Sequence, residues 1–143
     1  MKAEKAILRR SIGAMDFCEI LITQETIAAP AAAGFAGGCG AVVDFFGIVR
    51  PVEDGRAITG IDYEAHPRMA ESELRKIVEA AGRDSGLRAC LLAHRTGFVP
   101  AGEVSLFLRV AMPHREAAYE ISRALVEALK RRAPIWKRPI FTA

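Results

Sequence analysis

Basic residues are concentrated near the C-terminal end of the sequence and give its clearest sign of a binding site. Residues 114–138 contain seven Lys or Arg and three Glu, a surplus of four positive charges, whereas the whole chain has a formal net charge of +3. Such a cluster favours an anionic ligand over a neutral one.

His114 and Arg115, with Pro113, form the predicted first turn of the last helix. The free backbone N–H groups of a helix start and the positive end of its dipole already attract anions. Cations in this turn are unfavourable because they lie at the positive end of the dipole. Binding of a phosphate would explain why the sequence carries this electrostatic cost. A solvated helix start without a ligand is the alternative explanation.

Residues 130–132, with the sequence Lys-Arg-Arg, lie at the predicted end of the same helix, where positive charge complements the dipole. Residues 133–138 are then predicted to form a rigid, partly apolar turn that keeps Lys137 and Arg138 close to these three cations. Clustered cations lower one another's affinity for protons, which makes a lysine usable as a general acid or base near neutral pH.

Hydrophobic periodicity predicts the helices that must position these residues. Apolar residues recur every three or four positions over residues 67–84, which indicates an amphipathic helix. The last helix is predicted to begin near Pro113 and to stop by Ala133, because Pro134 disfavours helical geometry in the residue before it. A short helix followed by a loop is predicted within the Ala/Gly/Pro-rich residues 28–40.

Short runs of apolar, β-branched or aromatic residues predict the strands. The runs cover residues 17–23, 41–46, 58–65, 87–96 and 103–110, with a polar turn at 49–56 and turn residues at 100–102 that make the last two runs a hairpin. The order is roughly β-α-β-β-α-β-β-α with a short C-terminal tail. We therefore expect a single α+β domain with an antiparallel or mixed sheet, hairpins and about three helices.

Length and composition fit one globular domain. The chain has 143 residues, of which 51% are hydrophobic and 26% charged, a balance that excludes both disorder and a membrane span. Residues 15–143 are predicted to form the domain and residues 1–14 a disordered arm. Because the arm lacks the apolar stretch of a signal peptide, a cytoplasmic protein is expected.

Three further patterns have ordinary structural explanations. The three cysteines are odd in number and far apart, so neither a disulfide framework nor a zinc site is expected. Asp62, Glu64 and His66 share one face of a strand and could hold a metal, although a polar outer face is the simpler interpretation. The glycines of residues 34–40 lack the G-K-[ST] ending of a phosphate-binding loop.

Five groups of residues, taken in order, resemble the large subunit of molybdopterin synthase from about Phe17 to Arg138. They are Gly40-Ala-Val-Val-Asp-Phe-Phe-Gly-Ile-Val-Arg50, Tyr63-Glu64 with Met69-Ala70, His94-Arg95-Thr-Gly97 with Pro100-Ala-Gly-Glu103, His114-Arg115-Glu-Ala117, and Leu129-Lys130 with Ala133-Pro134-Ile135-Trp136-Lys137. Each group alone is weak evidence, whereas the order and spacing of all five are specific.

The resemblance implies an α+β subunit that dimerises and binds one ubiquitin-like sulfur carrier per protomer, as a heterotetramer. The Gly-Gly tail of the carrier would enter the active site as a thiocarboxylate, and two sulfur additions would convert cyclic pyranopterin monophosphate into the dithiolene of molybdopterin. No metal or dissociable cofactor would be needed. Lys130 and Lys137 would be the catalytic pair. The residues that hold the substrate would be Ile48, Val49, Arg50, His114, Arg115, Lys130, Lys137 and Arg138.

The chain departs from this family at Pro51, where a polar residue is common, at Pro139, where an acidic residue is common, and in its short C-terminal end. These differences would affect tail ordering and carrier docking more than sulfur transfer.

Two alternatives stay open. One is a carrier-binding paralogue without activity; the other is a non-catalytic module that binds an anion, a nucleotide or nucleic acid. Recognition of nucleic acid would need stacking aromatic residues near the cations, where only Tyr119 and Trp136 occur, so neither nucleic acid nor a membrane is expected as a partner.

The positions along the last helix predict a site shared between two copies of the chain. Arg115 and Lys130 are about 22 Å apart at the helical rise per residue, and residues 116–129 contain no Pro or Gly that would kink the helix. A small phosphorylated pterin cannot touch both ends. If both ends serve one substrate, the helix start of one protomer must meet the helix end of its partner across a two-fold axis.

Overall fold

Eight β-strands and two α-helices make up the computed structural model over residues 15–143, the part of the chain that the structure describes. The predicted disordered arm, residues 1–14, lies outside the described residues. In chain order the elements are β1 (Phe17–Thr23), β2 (Ala41–Ile48), β3 (Val52–Glu53), β4 (Arg56–Glu64), α1 (Pro67–Ser85), β5 (Ala89–Arg95), β6 (Gly97–Pro100), β7 (Val104–Met112), α2 (Arg115–Arg132) and β8 (Trp136–Phe141).

The larger sheet has the strand order β1-β5-β7-β2, in which β1 and β5 are parallel and the other two pairs antiparallel. Both helices pack on one face of it. Alternate residues of its strands, such as Leu92, Leu108 and Val110, are fully buried against Leu74 of α1 and Leu125 of α2. The mixed α+β architecture predicted from the sequence is therefore confirmed.

Both long helices form where the periodicity predicted them. Helix α1 begins with Pro67 and ends before Gly86, whose φ of 73° is a left-handed conformation that glycine adopts without strain. Helix α2 begins two residues later than predicted, at Arg115, and the extended backbone of Ala133 ends it before Pro134. Neither helix is long and apolar enough to cross a membrane, and residues 15–143 include no other α-helix.

The predicted short helix within residues 28–40 does not form, and this prediction was wrong. The segment is an irregular loop that covers the face of the larger sheet opposite the helices, with Phe35 edge-on to Phe17 at 5.5 Å. The guanidinium of Arg109 donates hydrogen bonds to the carbonyl oxygens of Ala31 at 3.0 Å and Pro30 at 2.7 Å. A buried cation thus satisfies carbonyl groups of the loop that a helix would have bonded internally.

The C-terminal segment is a strand, not the predicted turn and tail. Strand β8 pairs with β4 in antiparallel register, with Lys137 opposite Tyr63 and Arg138 opposite Asp62. Two charged residues followed by Pro139 gave no apolar alternation that would have indicated this strand. Proline is tolerated because β8 pairs on one side only, as an edge strand.

The predicted hairpin of residues 87–96 and 103–110 needs a similar correction. Strands β5 and β7 do pair antiparallel, but β6 lies between them in sequence and pairs with β4 in the second, smaller sheet. This smaller sheet also contains β3 and β8, and its core is formed by Val49, Ile58, Ile61 and Val99. The chain therefore crosses from one sheet to the other and back within residues 95–104.

Because the ion pair between Arg109 and Asp44 anchors the loop, we expect its removal to lower the stability of the fold strongly. Arg109 is 1% exposed and donates to both carboxylate oxygens of Asp44, at 2.6 and 2.8 Å. Removing one partner of a buried pair leaves the other charge uncompensated, so Asp44→Ala should lower the free energy of unfolding by about 3 kcal/mol. Urea denaturation measures this. Glu127→Ala, which breaks the exposed pair with Arg123, is the control and should cost about 0.5 kcal/mol or less. Equal losses would contradict the anchoring role.

Candidate active site

A cavity of about 710 Å³ opens where the ends of β2 and α2 meet β4, β5 and the start of β8. This volume is in the range that accommodates a small-molecule ligand. Apolar side chains, including Phe45, Leu92 and Leu106, form most of its walls. Its polar lining residues are Arg50, Glu53, Tyr63, His94, Ser105, Lys130 and Lys137.

Lys130 and Lys137 line this cavity from two different elements. Lys130 lies in the last turn of α2, where the negative end of the helix dipole favours a positive charge. Because Pro134 ends the helix, the chain turns and enters β8, whose second residue is Lys137. The turn between helix and strand thus brings both predicted catalytic lysines to one cavity, although Lys137 lies on a strand and not in the predicted turn.

Ile48, Val49 and Arg50 line the same cavity at the end of β2. Val49 is 2% exposed, its N–H donates to the carbonyl of Glu103 at 3.0 Å, and its carbonyl accepts from the N–H of Gly102 at 2.7 Å. Arg50 follows this anchored residue and is exposed. The backbone at Val49 therefore fixes where the Arg50 side chain leaves the sheet.

Glu53 is a carboxylate among these cations. Its side chain is 16% exposed and lies 3.8 Å from an Arg50 guanidinium nitrogen and 3.5 Å from Lys137 Nζ. The turn that returns the chain after Glu53 has positive φ at both central residues, 51° at Asp54 and 74° at Gly55. An Asp-Gly pair favours such a two-residue hairpin turn, so this signal was present in the segment predicted only as a polar turn.

His94 and Tyr63 line the inner part of the cavity, with their rings edge to face at 5.1 Å. Burial lowers the pKa of His94, while a hydrogen bond to the Arg95 carbonyl acts in the opposite direction. The imidazole is therefore more readily neutral than a solvent-exposed one. His94 was not predicted as a site residue, although it is a polar residue that follows five apolar residues in β5.

His114 and Arg115 line a different cleft, of about 440 Å³, at the other end of α2. Gly40, Pro113 and Glu116 complete its lining. Helix α2 is continuous from Arg115 to Arg132, so within one chain this pair lies about one helix length from Lys130. One protomer brings together only part of the predicted site.

Arg138 lies outside the cavity that Lys137 lines. Successive side chains of a strand point to opposite faces, and the guanidinium of Arg138 donates to the carboxylate of Asp62 at 2.9 Å. Asp62 therefore has a cation as its partner. Within the described residues, no group of three or more His, Cys, Asp or Glu side chains is arranged to hold a metal ion.

The cysteines lie apart from both clefts. Cys18 and Cys90 are buried in the main core, Cys39 is half-buried, and all three are free thiols. Burial raises the pKa of Cys18 to about 11. A thiol with so high a pKa is a poor nucleophile at neutral pH, so the core cysteines act as small apolar residues.

Sequence comparison places the chain in a known family. The family model described as MoaE protein matches residues 21–132. Molybdopterin synthase catalytic subunits are similar over about a hundred residues: that of Pseudomonas aeruginosa is 41% identical over 71% of this chain and 67% of its own length. That of Thermoplasma volcanium is 37% identical over 71% and 74%. The bovine subunit is 38% identical over 72% of this chain but only 54% of its own length, so the match spans about half of that protein.

Solved structures agree in fold. The molybdopterin synthase from Staphylococcus aureus superposes with a TM-score of 0.76 at 31% identity, over 87% of this chain and 90% of that one. A chain from the complex of subunits 1 and 2 of the molybdopterin-converting factor of Helicobacter pylori superposes with a TM-score of 0.62 at 24% identity, over 87% and 89%. The chain belongs to the MoaE family of molybdopterin synthase catalytic subunits.

Proposed function

We propose that this chain is a sulfurtransferase that moves sulfur from the thiocarboxylate tail of a small ubiquitin-like carrier to cyclic pyranopterin monophosphate. Two rounds of transfer form the dithiolene of molybdopterin, a step in molybdenum cofactor biosynthesis. The observation that carries the proposal is the convergence of Arg50, Lys130 and Lys137 on one cavity with largely apolar walls.

The charges of the cavity suit both proposed reactants. A thiocarboxylate and a cyclic phosphate are each anionic, and three cations line the cavity: Arg50 just after β2, Lys130 on α2 and Lys137 on β8. Arginine offers a planar fork for phosphate oxygens, whereas a lysine ammonium is a mobile point charge. We therefore assign Arg50 to the phosphate. Lys130 and Lys137 are assigned to the reacting atoms, where they hold the thiocarboxylate and exchange protons with the substrate.

The apolar walls suit the rest of the substrate. A pterin is a flat, fused ring system that gains from contact with aromatic and aliphatic side chains, and Phe45, Leu92 and Ile135 line the cavity. Ile48 and Val49 would contact the substrate at the rim. The family resemblance implies a carrier with a Gly-Gly C-terminus, and residues without side chains could enter the cavity as extended backbone. The complex of subunits 1 and 2 of the Helicobacter pylori molybdopterin-converting factor supports a second subunit as the partner.

We further propose that the working unit is a homodimer within a heterotetramer. His114 and Arg115 lie at the start of α2 and Lys130 near its end, so one chain cannot bring all three to a small substrate. A two-fold contact would carry His114 and Arg115 of one protomer to the lysine cavity of its partner, twice per dimer. Arg138 would then act on the substrate only if it exchanged its pairing with Asp62 for a phosphate contact.

Reconstitution tests the proposed function. The purified chain is mixed with a thiocarboxylated carrier and cyclic pyranopterin monophosphate, and molybdopterin is measured over time. Product should form only when all three components are present, and a carrier ending in an ordinary carboxylate should give none. Binding of the carrier without any product would instead identify a non-catalytic paralogue.

Arg50→Lys should weaken binding of the substrate about tenfold, because lysine keeps the charge but loses the planar fork. The dissociation constant of cyclic pyranopterin monophosphate, measured by calorimetry in the presence of carrier, tests this. Arg83→Lys, at the end of α1 and outside the cavity, is the matched control and should bind as the original chain does. Unchanged affinity in Arg50→Lys would remove Arg50 from the phosphate site.

A further inference from the structure

The hydrogen bonding of His94 determines which of its ring nitrogens is free. Nδ1 lies 2.7 Å from the backbone carbonyl oxygen of Arg95. A carbonyl oxygen can only accept, so Nδ1 carries the hydrogen and Nε2 has an unshared electron pair. The strand backbone thus holds the imidazole in the tautomer that presents a base at Nε2.

The second ring nitrogen, Nε2, belongs to a residue that lines the cavity. It makes no hydrogen bond with any residue from 15 to 143, and within that range the only buried side-chain nitrogen or oxygen without a partner is Arg95 Nε. Inside a largely apolar cavity, such an atom is a ready acceptor for a proton from water.

The surroundings of His94 keep the ring neutral. Burial lowers its pKa, and the ring edge of Tyr63 offers no negative charge. The other charged groups that line the cavity are three cations and one carboxylate, Arg50, Lys130, Lys137 and Glu53. A neutral imidazole is the form that accepts a proton.

We propose that His94 is the general base that releases the carrier after each sulfur transfer. The inference rests on the proposed function. Once the thiocarboxylate sulfur has bonded to a substrate carbon, it joins that carbon to the acyl carbon of the carrier as a thioester. Water then attacks the acyl carbon while its proton passes to Nε2. The bond between acyl carbon and sulfur breaks, its electron pair stays on sulfur as a substrate thiolate, and the carrier leaves as a carboxylic acid that loses its remaining proton to solvent. The proton on Nε2 returns to solvent.

Other side chains of the cavity are less suited to this step. Glu53 is engaged in ion pairs with Arg50 at 3.8 Å and with Lys137 at 3.5 Å. The lysines are assigned to the reacting sulfur, and in this step their ammonium groups hold the leaving thiolate. Ser105 donates its hydroxyl to the Gly47 carbonyl at 3.3 Å. His94 is thus the one neutral nitrogen base among the lining residues.

The test compares His94→Asn with His66→Asn in the complete system of chain, thiocarboxylated carrier and cyclic pyranopterin monophosphate. The asparagine amide nitrogen can take over the Nδ1 hydrogen bond, whereas nothing replaces Nε2. His66 is exposed at the start of α1 and makes no side-chain capping hydrogen bond, so its variant controls for loss of an imidazole. His94→Asn should make molybdopterin about a hundredfold more slowly or worse, and the covalent adduct of carrier and substrate should accumulate.

Intact-mass spectrometry identifies that adduct, and hydroxylamine, which cleaves thioesters without a general base, should release it. His94→Gln is a second variant that should behave in the same way, so the test can still be made if His94→Asn folds poorly. Wild-type turnover in either folded variant would overturn the assignment, as would slow turnover without an adduct. If the original chain and His66→Asn make no molybdopterin, the proposed function itself fails, and the two failures are thereby distinguished.

Discussion

Lys130→Ala is expected to lower the rate of molybdopterin formation by about three orders of magnitude while the fold stays intact. Lys130 is exposed at the end of α2 and lines the cavity, so its removal costs no core packing. In the proposed reaction its ammonium group holds the thiocarboxylate and the thiolate that forms from it. Single-turnover assays with thiocarboxylated carrier measure the rate, and thermal unfolding checks the fold.

The neighbouring arginine provides the control for this prediction. Arg131 is one residue further along α2, equally exposed, but does not line the cavity. Arg131→Ala should therefore have a much milder effect, whereas Lys137→Ala should also impair turnover. Equal losses in all three variants would indicate a diffuse effect of positive charge. Near wild-type activity in Lys130→Ala would show that the assignment is wrong.

Mixing two inactive variants is expected to restore activity, because the proposed site combines residues from both protomers. One chain carries His114→Ala with Arg115→Ala, and the other carries Lys130→Ala. In a mixed dimer, one site loses both sets of residues while the other keeps both, so about half of its sites should work. Each variant alone forms dimers in which every site is incomplete.

The measurement is molybdopterin formation after subunit exchange, with the fraction of mixed dimers determined by native mass spectrometry. Activity should rise in proportion to that fraction. A pair of variants that both affect the lysine cavity, Lys130→Ala and Lys137→Ala, is the control and should show no recovery. Failure of the first pair despite confirmed exchange would contradict the shared site and make His114 and Arg115 a separate anion site or a structural feature.

Sequence periodicity predicted the elements whose stability comes from local pattern and core burial. Helix α1 has a clear apolar face and an end marked by Gly86, and α2 ends at the position that Pro134 requires. Sequence periodicity failed to predict the structure where contacts between residues distant in sequence determine it. The loop of residues 28–40 depends on Arg109, almost eighty positions away, and β8 depends on pairing with β4. Neither contact leaves a periodic signal in the segment itself.

The residues of the candidate site also fall into two groups, those that the sequence predicted and those that it did not. Arg50, Lys130 and Lys137 were predicted from charge and from resemblance, and all three line one cavity. Glu53 and His94 were missed, because their positions depend on a hairpin turn and on the pairing of β5 within the larger sheet. A lone histidine in a strand carries no sign of its neighbours, and only the fold shows that it faces the cavity.

Isotopic labelling of the carrier's sulfur distinguishes sulfur transfer by this chain from incorporation of free sulfide. The carrier is prepared with its thiocarboxylate made from a heavy sulfur isotope, and the complete reaction is run in the presence of unlabelled sulfide. Both dithiolene sulfurs of molybdopterin should carry the heavy isotope, and two carriers should be consumed for each product. Unlabelled dithiolene, or labelled carrier left intact while product forms, would contradict sulfur transfer by this chain.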